Sequence, residues 1–123
     1  MTNSGKIYNL EERTQKFGKD VIGFCRSIDK NEITRPLISQ LIRSATSIGA
    51  NYVEADGAES KKDFKHKIAI CKKESKETKH WLKMMCAAAT NKKAEADRLW
   101  QEAQELTLIF SKIFNTTMNS LKN

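Results

Sequence analysis

The chain has 123 residues, 39% of them hydrophobic and 30% charged, and carries a net charge of +7 from 22 lysines and arginines against 15 aspartates and glutamates. That length makes one domain with a modest core, and a single proline with five glycines leaves too little turn punctuation for a β-sandwich. The positive balance favours anionic partners, namely nucleic acid, an acidic protein or an anionic surface.

Residues 1–8 read as an N-terminal tail, residues 9–118 as the folded body and residues 119–123 as a C-terminal tail. Asn9 is placed to cap a first helix, with Glu11 and Glu12 favourable in its first turn. Leu10, Phe17, Val21, Phe24 and Ile28 form a stripe at helical spacing that runs to about Ser27. Asp29-Lys30-Asn31 is a polar break.

A second helix is predicted from Thr34 as N-cap, with Pro36 in the first turn, where its missing N–H costs nothing. Leu37, Leu41, Ala45, Ile48 and Tyr52 form one stripe, and Ile38, Ile42, Gly49 and Val53 an adjacent one, so this helix is expected to be the most buried. Gly49 costs about 1 kcal/mol against alanine unless close packing requires it. Asn51 and Glu54 read as members of a packing network. Asp56-Gly57 is expected to end the helix, with Gly57 as a left-handed cap.

Ser60 and Asp63 resemble a capping box that opens a third helix, which runs to about Ala89. Positions 64, 68, 71, 75, 78, 82, 85 and 89 alternate steps of four and three, a heptad seam in which Ser75 and Thr78 are the polar exceptions. After Thr90-Asn91-Lys92-Lys93, a fourth helix begins near Ala94 and continues to Asn115 or beyond. Leu99, Ala103, Leu106, Phe110, Ile113 and Thr117 repeat the four-three spacing, and Trp100, Ile109 and Phe114 widen the apolar face. Four amphipathic helices with short breaks predict an all-α, antiparallel up-down four-helix bundle.

No reaction centre is legible. His66 and His80 lie about 21 Å apart along one helix and cannot share a metal. HExxH, CxxC and Glu-x-x-His pairs are absent, as is a glycine-rich loop before a helix. No catalytic residue, metal or cofactor is therefore expected, and the protein is expected not to be an enzyme. Three cysteines without a CxxC pair, Cys25, Cys71 and Cys86, and no apolar signal core at the N-terminus fit a reducing, cytoplasmic setting. No apolar run approaches the roughly 20 residues that span a bilayer, so no membrane role is expected.

The informative segment is the third helix. Lys62, Lys65, Lys72, Lys76, Lys79 and Lys83 fall within an arc of about 100° beside the apolar seam. Like charges at i,i+3 and i,i+4 repel by a few tenths of a kcal/mol per pair, and the acids Asp63, Glu74 and Glu77 lie on the other flank. The ridge reads either as a solvated face or as an anion-binding one. In the second reading these six lysines, with Arg35 and Arg43 secondary, are the candidate nucleic-acid contacts. The opposite flank, Ile70, Glu74, Glu77 and Trp81, reads either as packed within its own chain or as a subunit interface, with Arg35 or Arg43 of another copy available to its acids.

The segments LIRSATSIGANYVEAD and SKKDFKHKIAICKKESKETKHWLKMM resemble the four-helix proteins encoded in intervening sequences of bacterial 23S rRNA genes, often named for ribosomal protein S23. The resemblance is carried by Arg43-Ser44-Ala45, Ser47-Ile48, Asn51, Glu54, Ser60, Asp63-Phe64, Glu74, Glu77-Thr78 and Trp81-Leu82. The chain departs from the family pattern at Ala55-Asp56-Gly57 and at Cys71-Lys72-Lys73-Glu74-Ser75. The resemblance implies a ring-like homopentamer of four-helix bundles, in a family with no established catalytic activity. It also implies kinship with the accessory protein of diversity-generating retroelements, which partners a reverse transcriptase. The expected function is therefore non-enzymatic nucleic-acid binding, with RNA favoured, and the alternative is an oligomeric scaffold that recruits an acidic protein such as a reverse transcriptase.

Overall fold

The computed structural model of the chain describes residues 9–122, with side chains for residues 9–119. Four helices account for nearly all of it: α1, Leu10–Arg26; α2, Thr34–Asp56; α3, Lys61–Ala88; and α4, Lys93–Lys122, the last preceded by a 3-10 turn at Thr90–Lys92. No strand forms among the described residues. The α1–α2 and α3–α4 connections line one polar recess at the same end of the molecule, as an up-down bundle requires. The expected tail at residues 1–8 lies outside the described residues.

The core is the set of stripes read from the sequence. Phe17 and Val21 of α1, Leu41 and Ile48 of α2, Ile68, Leu82 and Met85 of α3, and Leu106 and Phe110 of α4 are all buried. Each large side chain removed from water contributes about 1.5–3 kcal/mol before the entropy of ordering is subtracted. The polar positions in the α3 seam are satisfied locally. Ser75 Oγ donates to the Cys71 carbonyl at 2.8 Å, Thr78 Oγ1 donates to the Glu74 carbonyl at 2.8 Å, and the Thr78 and Ser44 hydroxyls meet at 3.0 Å between α3 and α2.

The layers are unequal. α3 packs extensively on both α2 and α4, and α1 packs mainly on α2, whereas α1 and α4 barely touch. Their seam is closed by Arg13, which donates through Nε and Nη2 to both oxygens of Glu102 at 2.7 and 2.8 Å and through Nη2 to Glu105 at 2.8 Å. Close approach of α1 to α2 explains Gly49: a Cβ there would stand 3.2 Å from Thr14 Oγ1.

Several local expectations are corrected. Of the second α2 stripe only Gly49 is buried; Ile38 and Ile42 are half-buried and Val53 is exposed, so α2 is not the most enclosed helix. The cap of α2 is Asn31 rather than Thr34. Asn31 Oδ1 accepts from the Ile33 and Thr34 N–H groups at 2.9 Å, and Thr34 Oγ1 accepts from the Asn31 N–H at 3.0 Å. Asn9 makes no side-chain bond to the backbone of α1 and donates instead to Glu12 Oε1 at 2.7 Å. Gly57 has φ of −98° and is not a left-handed cap: its N–H donates to the Val53 carbonyl at 3.2 Å and the Ala58 N–H donates to the Ala55 carbonyl at 3.1 Å, which prolongs the last turn. Ser60 does cap α3, accepting from the Asp63 N–H at 3.0 Å. No glycine or proline interrupts Thr116–Lys122, and α4 continues to Lys122, through most of the expected C-terminal tail.

Candidate nucleic-acid interface

The heptad seam turns Ile68, Cys71, Leu82 and Met85 inward and leaves the six ridge lysines along the side of α3 that faces α4. Lys62, Lys76 and Lys83 are exposed, and Lys65, Lys72 and Lys79 are half-buried. From Lys65 to Lys83 the row spans about 27 Å, at 1.5 Å per residue. α4 supplies the other edge. Trp100, Gln104, Phe114 and Met118 share one side of that helix within an arc of about 80°. Lys79 and Lys83 each place Nζ 5.2 Å from the Trp100 ring centroid, and Lys79 also donates to Gln104 Oε1. Lys65 Nζ lies 5.6 Å from the Phe114 centroid and 3.2 Å from Met118 Sδ. These separations fall within the range in which a cation is attracted to an aromatic face.

The face is therefore aromatic as well as cationic. Its aromatic half was not identified from the sequence, where Trp100 and Phe114 read only as a broadening of the apolar face. Their fourteen-residue separation, nearly four full turns, was the available signal.

Carboxylates are drawn away from this face. Among the described residues none of the six lysines takes part in an ion pair, whereas Glu102 and Glu105 are held by Arg13, Glu54 by Lys67, and Asp97 by Lys93. Arg43 is not brought to the ridge. It lies on the α2–α3 side, bonding Glu74 at 3.3 Å and also Glu77 of its own chain. Burial pulls the Arg43 guanidinium down, and these acids more than offset it, so its pKa lies above the ordinary value. The Trp81 indole donates to Glu77 Oε2 at 2.9 Å, and that bond, together with the hydrogen bond and charge of Arg43, holds the Glu77 carboxyl below its ordinary pKa against the pull of burial. Ile70 is half-buried beside them. The flank considered as a subunit interface thus finds its counter-ion within one chain. Asn51 donates to the Ser47 carbonyl at 2.9 Å, a local packing role. Arg35 stands exposed in the first turn of α2, at the end of the bundle where the two loops meet.

Other chemistry finds no assembly among the described residues. No group of three or more histidine, cysteine, aspartate or glutamate side chains is placed to hold a metal. No helix is long and apolar enough to cross a membrane. Burial pushes the Cys25 thiol up to about 11 and the Cys71 thiol up to about 12. Both therefore stay protonated at neutral pH and are poor nucleophiles.

Comparison with known proteins agrees with this architecture. The family model described as 23S rRNA-intervening sequence protein matches residues 8–112. A solved structure from Bacteroides thetaiotaomicron, a protein of unknown function from the S23 ribosomal protein family, superposes with a TM-score of 0.75 at 24% identity, covering 85% of this chain and 96% of that one. At that identity the likeness establishes the fold. No curated protein matches. With a family match over most of its length, the chain belongs to the 23S rRNA-intervening sequence protein family.

Proposed function

We propose that the protein is a non-enzymatic, cytoplasmic nucleic-acid-binding protein that meets phosphates with the α3 lysine row. RNA is favoured because of the rRNA genes from which the family takes its description. The observation that carries this reading is the alignment of six lysines along one side of α3, none of which takes part in an ion pair among the described residues, with Lys65, Lys79 and Lys83 set over aromatic rings of α4. Contacts to phosphate fix position without reading sequence, and they make binding steeply salt-dependent. Self-association, as a pentamer by family resemblance, would repeat the row around an axis and add avidity. Light scattering should then give several times the 14.0 kDa chain mass.

The test sets a triple change, Lys72→Glu with Lys76→Glu and Lys79→Glu, against Lys19→Glu with Lys92→Glu and Lys112→Glu, which alters net charge equally outside the row. The first should remove most binding to RNA and lower the slope of log affinity against log salt by roughly 0.7–0.9 for each phosphate no longer neutralised. The second should change binding far less. Equal losses would show that only net charge matters. Indifference of the intact protein to RNA, with salt-sensitive capture of an acidic protein such as a reverse transcriptase, would favour the scaffold reading instead.

A further inference from the structure

The two tryptophans of this chain are held in opposite ways. Trp81 is tied down, its indole N–H donating to Glu77 at 2.9 Å and its ring lying edge-on to His80 at 4.8 Å between centroids. Trp100 is half-buried on the α4 side of the lysine row. Its contacts with the row are the ammonium groups of Lys79 and Lys83, both over the ring at 5.2 Å. Phe114 repeats the arrangement fourteen residues further along, with Lys65 over its ring at 5.6 Å.

We propose that Trp100, with Lys79, Lys83 and Gln104, forms a stacking subsite for an unpaired nucleobase, and that the ligand class of the α3–α4 face is single-stranded nucleic acid rather than duplex. The proposal rests on the nucleic-acid reading above and makes it more specific. Phosphate binding alone needs lysines in water and gains nothing from a large aromatic ring beside the Lys79–Lys83 end of the row. A strand with free bases uses both parts. The ammonium groups move from ring to phosphate on flexible four-carbon stems, and the indole face they leave accepts the base of the same nucleotide. Gln104 Oε1, now engaged by Lys79, becomes available to a base edge. Phe114, about 21 Å away along α4, is placed for a second base several nucleotides on. Duplex nucleic acid keeps its bases stacked on one another and can use only the cations.

The experiment measures binding of the full chain to a short oligouridylate, to an abasic sugar–phosphate oligomer of the same length, and to a duplex. Fluorescence of Trp100 is read in a Trp81→Phe background. Oligouridylate should quench Trp100 and the abasic oligomer should not. Trp100→Leu should weaken oligouridylate binding roughly ten-fold, within the range expected for losing one stacked base, and leave abasic and duplex binding within about two-fold. Trp100→Phe should retain most of the affinity, because a phenyl ring still stacks. Melting curves check the variants, and the quenching result does not depend on Trp100→Leu folding. Binding without quenching, or equal loss for oligouridylate and abasic oligomer in Trp100→Leu, would overturn the stacking subsite while sparing the phosphate reading. Failure to bind any of the three would overturn both.

Discussion

Gly49 and Gly23 separate two uses of glycine in a helix. A Cβ at Gly49 meets Thr14 Oγ1 at 3.2 Å, and Thr14 is fully buried and held by its bond to the Leu10 carbonyl at 2.6 Å, so it has little freedom to yield. At Gly23 an added Cβ meets nothing within 4 Å. Gly23→Ala should therefore stabilise the protein by about 0.5–1 kcal/mol through helix propensity and the unfolded state, while Gly49→Ala should gain nothing or lose stability, both read from urea midpoints at unchanged slope. The thiols give a second residue-scale test. In the folded chain Cys25 and Cys71 keep their protons up to about 11 and about 12, whereas in the unfolded chain they ionise near their ordinary value. Below that value they contribute no pH dependence. As pH rises above it, the unfolded state sheds protons that the native state retains, so stability should fall. The half-buried Cys86 should label first with a thiol reagent at neutral pH. Rapid labelling of all three would contradict the buried positions of the other two.

At the scale of the element, the helices were legible because each carries a periodic apolar stripe over at least four turns, and the α3 seam from Phe64 to Met85 was read in the correct register. Helix ends were less so. The α2 cap depends on Asn31 curling back over the α1–α2 loop, a geometry set by where α1 delivers the chain, and periodicity contains no trace of it. Asn31→Ala should cost about 0.5–2 kcal/mol in a thermal or urea melt, because the Ile33 and Thr34 N–H groups lose their common acceptor, whereas Thr34→Ser, which keeps the hydroxyl, should cost less. The destination of the lysine row was half legible. That it lies beside the seam follows from helix geometry, but which neighbour it meets depends on the sense in which the bundle winds. Local sequence does not record that choice, so Trp100 and Phe114 were not connected with the lysines.

At the scale of the molecule, α3 is the central beam, packed on α2 and α4, and α1 is attached on one side. The seam between α1 and α4 is held by the Arg13 fork to Glu102 and Glu105, whose hydrogen bonds raise the guanidinium above its ordinary pKa against the pull of burial. With so few close backbone approaches between α1 and α4, the four helices need not open as one unit. Amide exchange should reveal a ladder of protection, with α1 exchanging through a sub-global opening and α3 only on complete unfolding. Arg13→Ala should lower the first rung and leave the second nearly unchanged. The bundle would then behave as a three-helix body with a hinged cover.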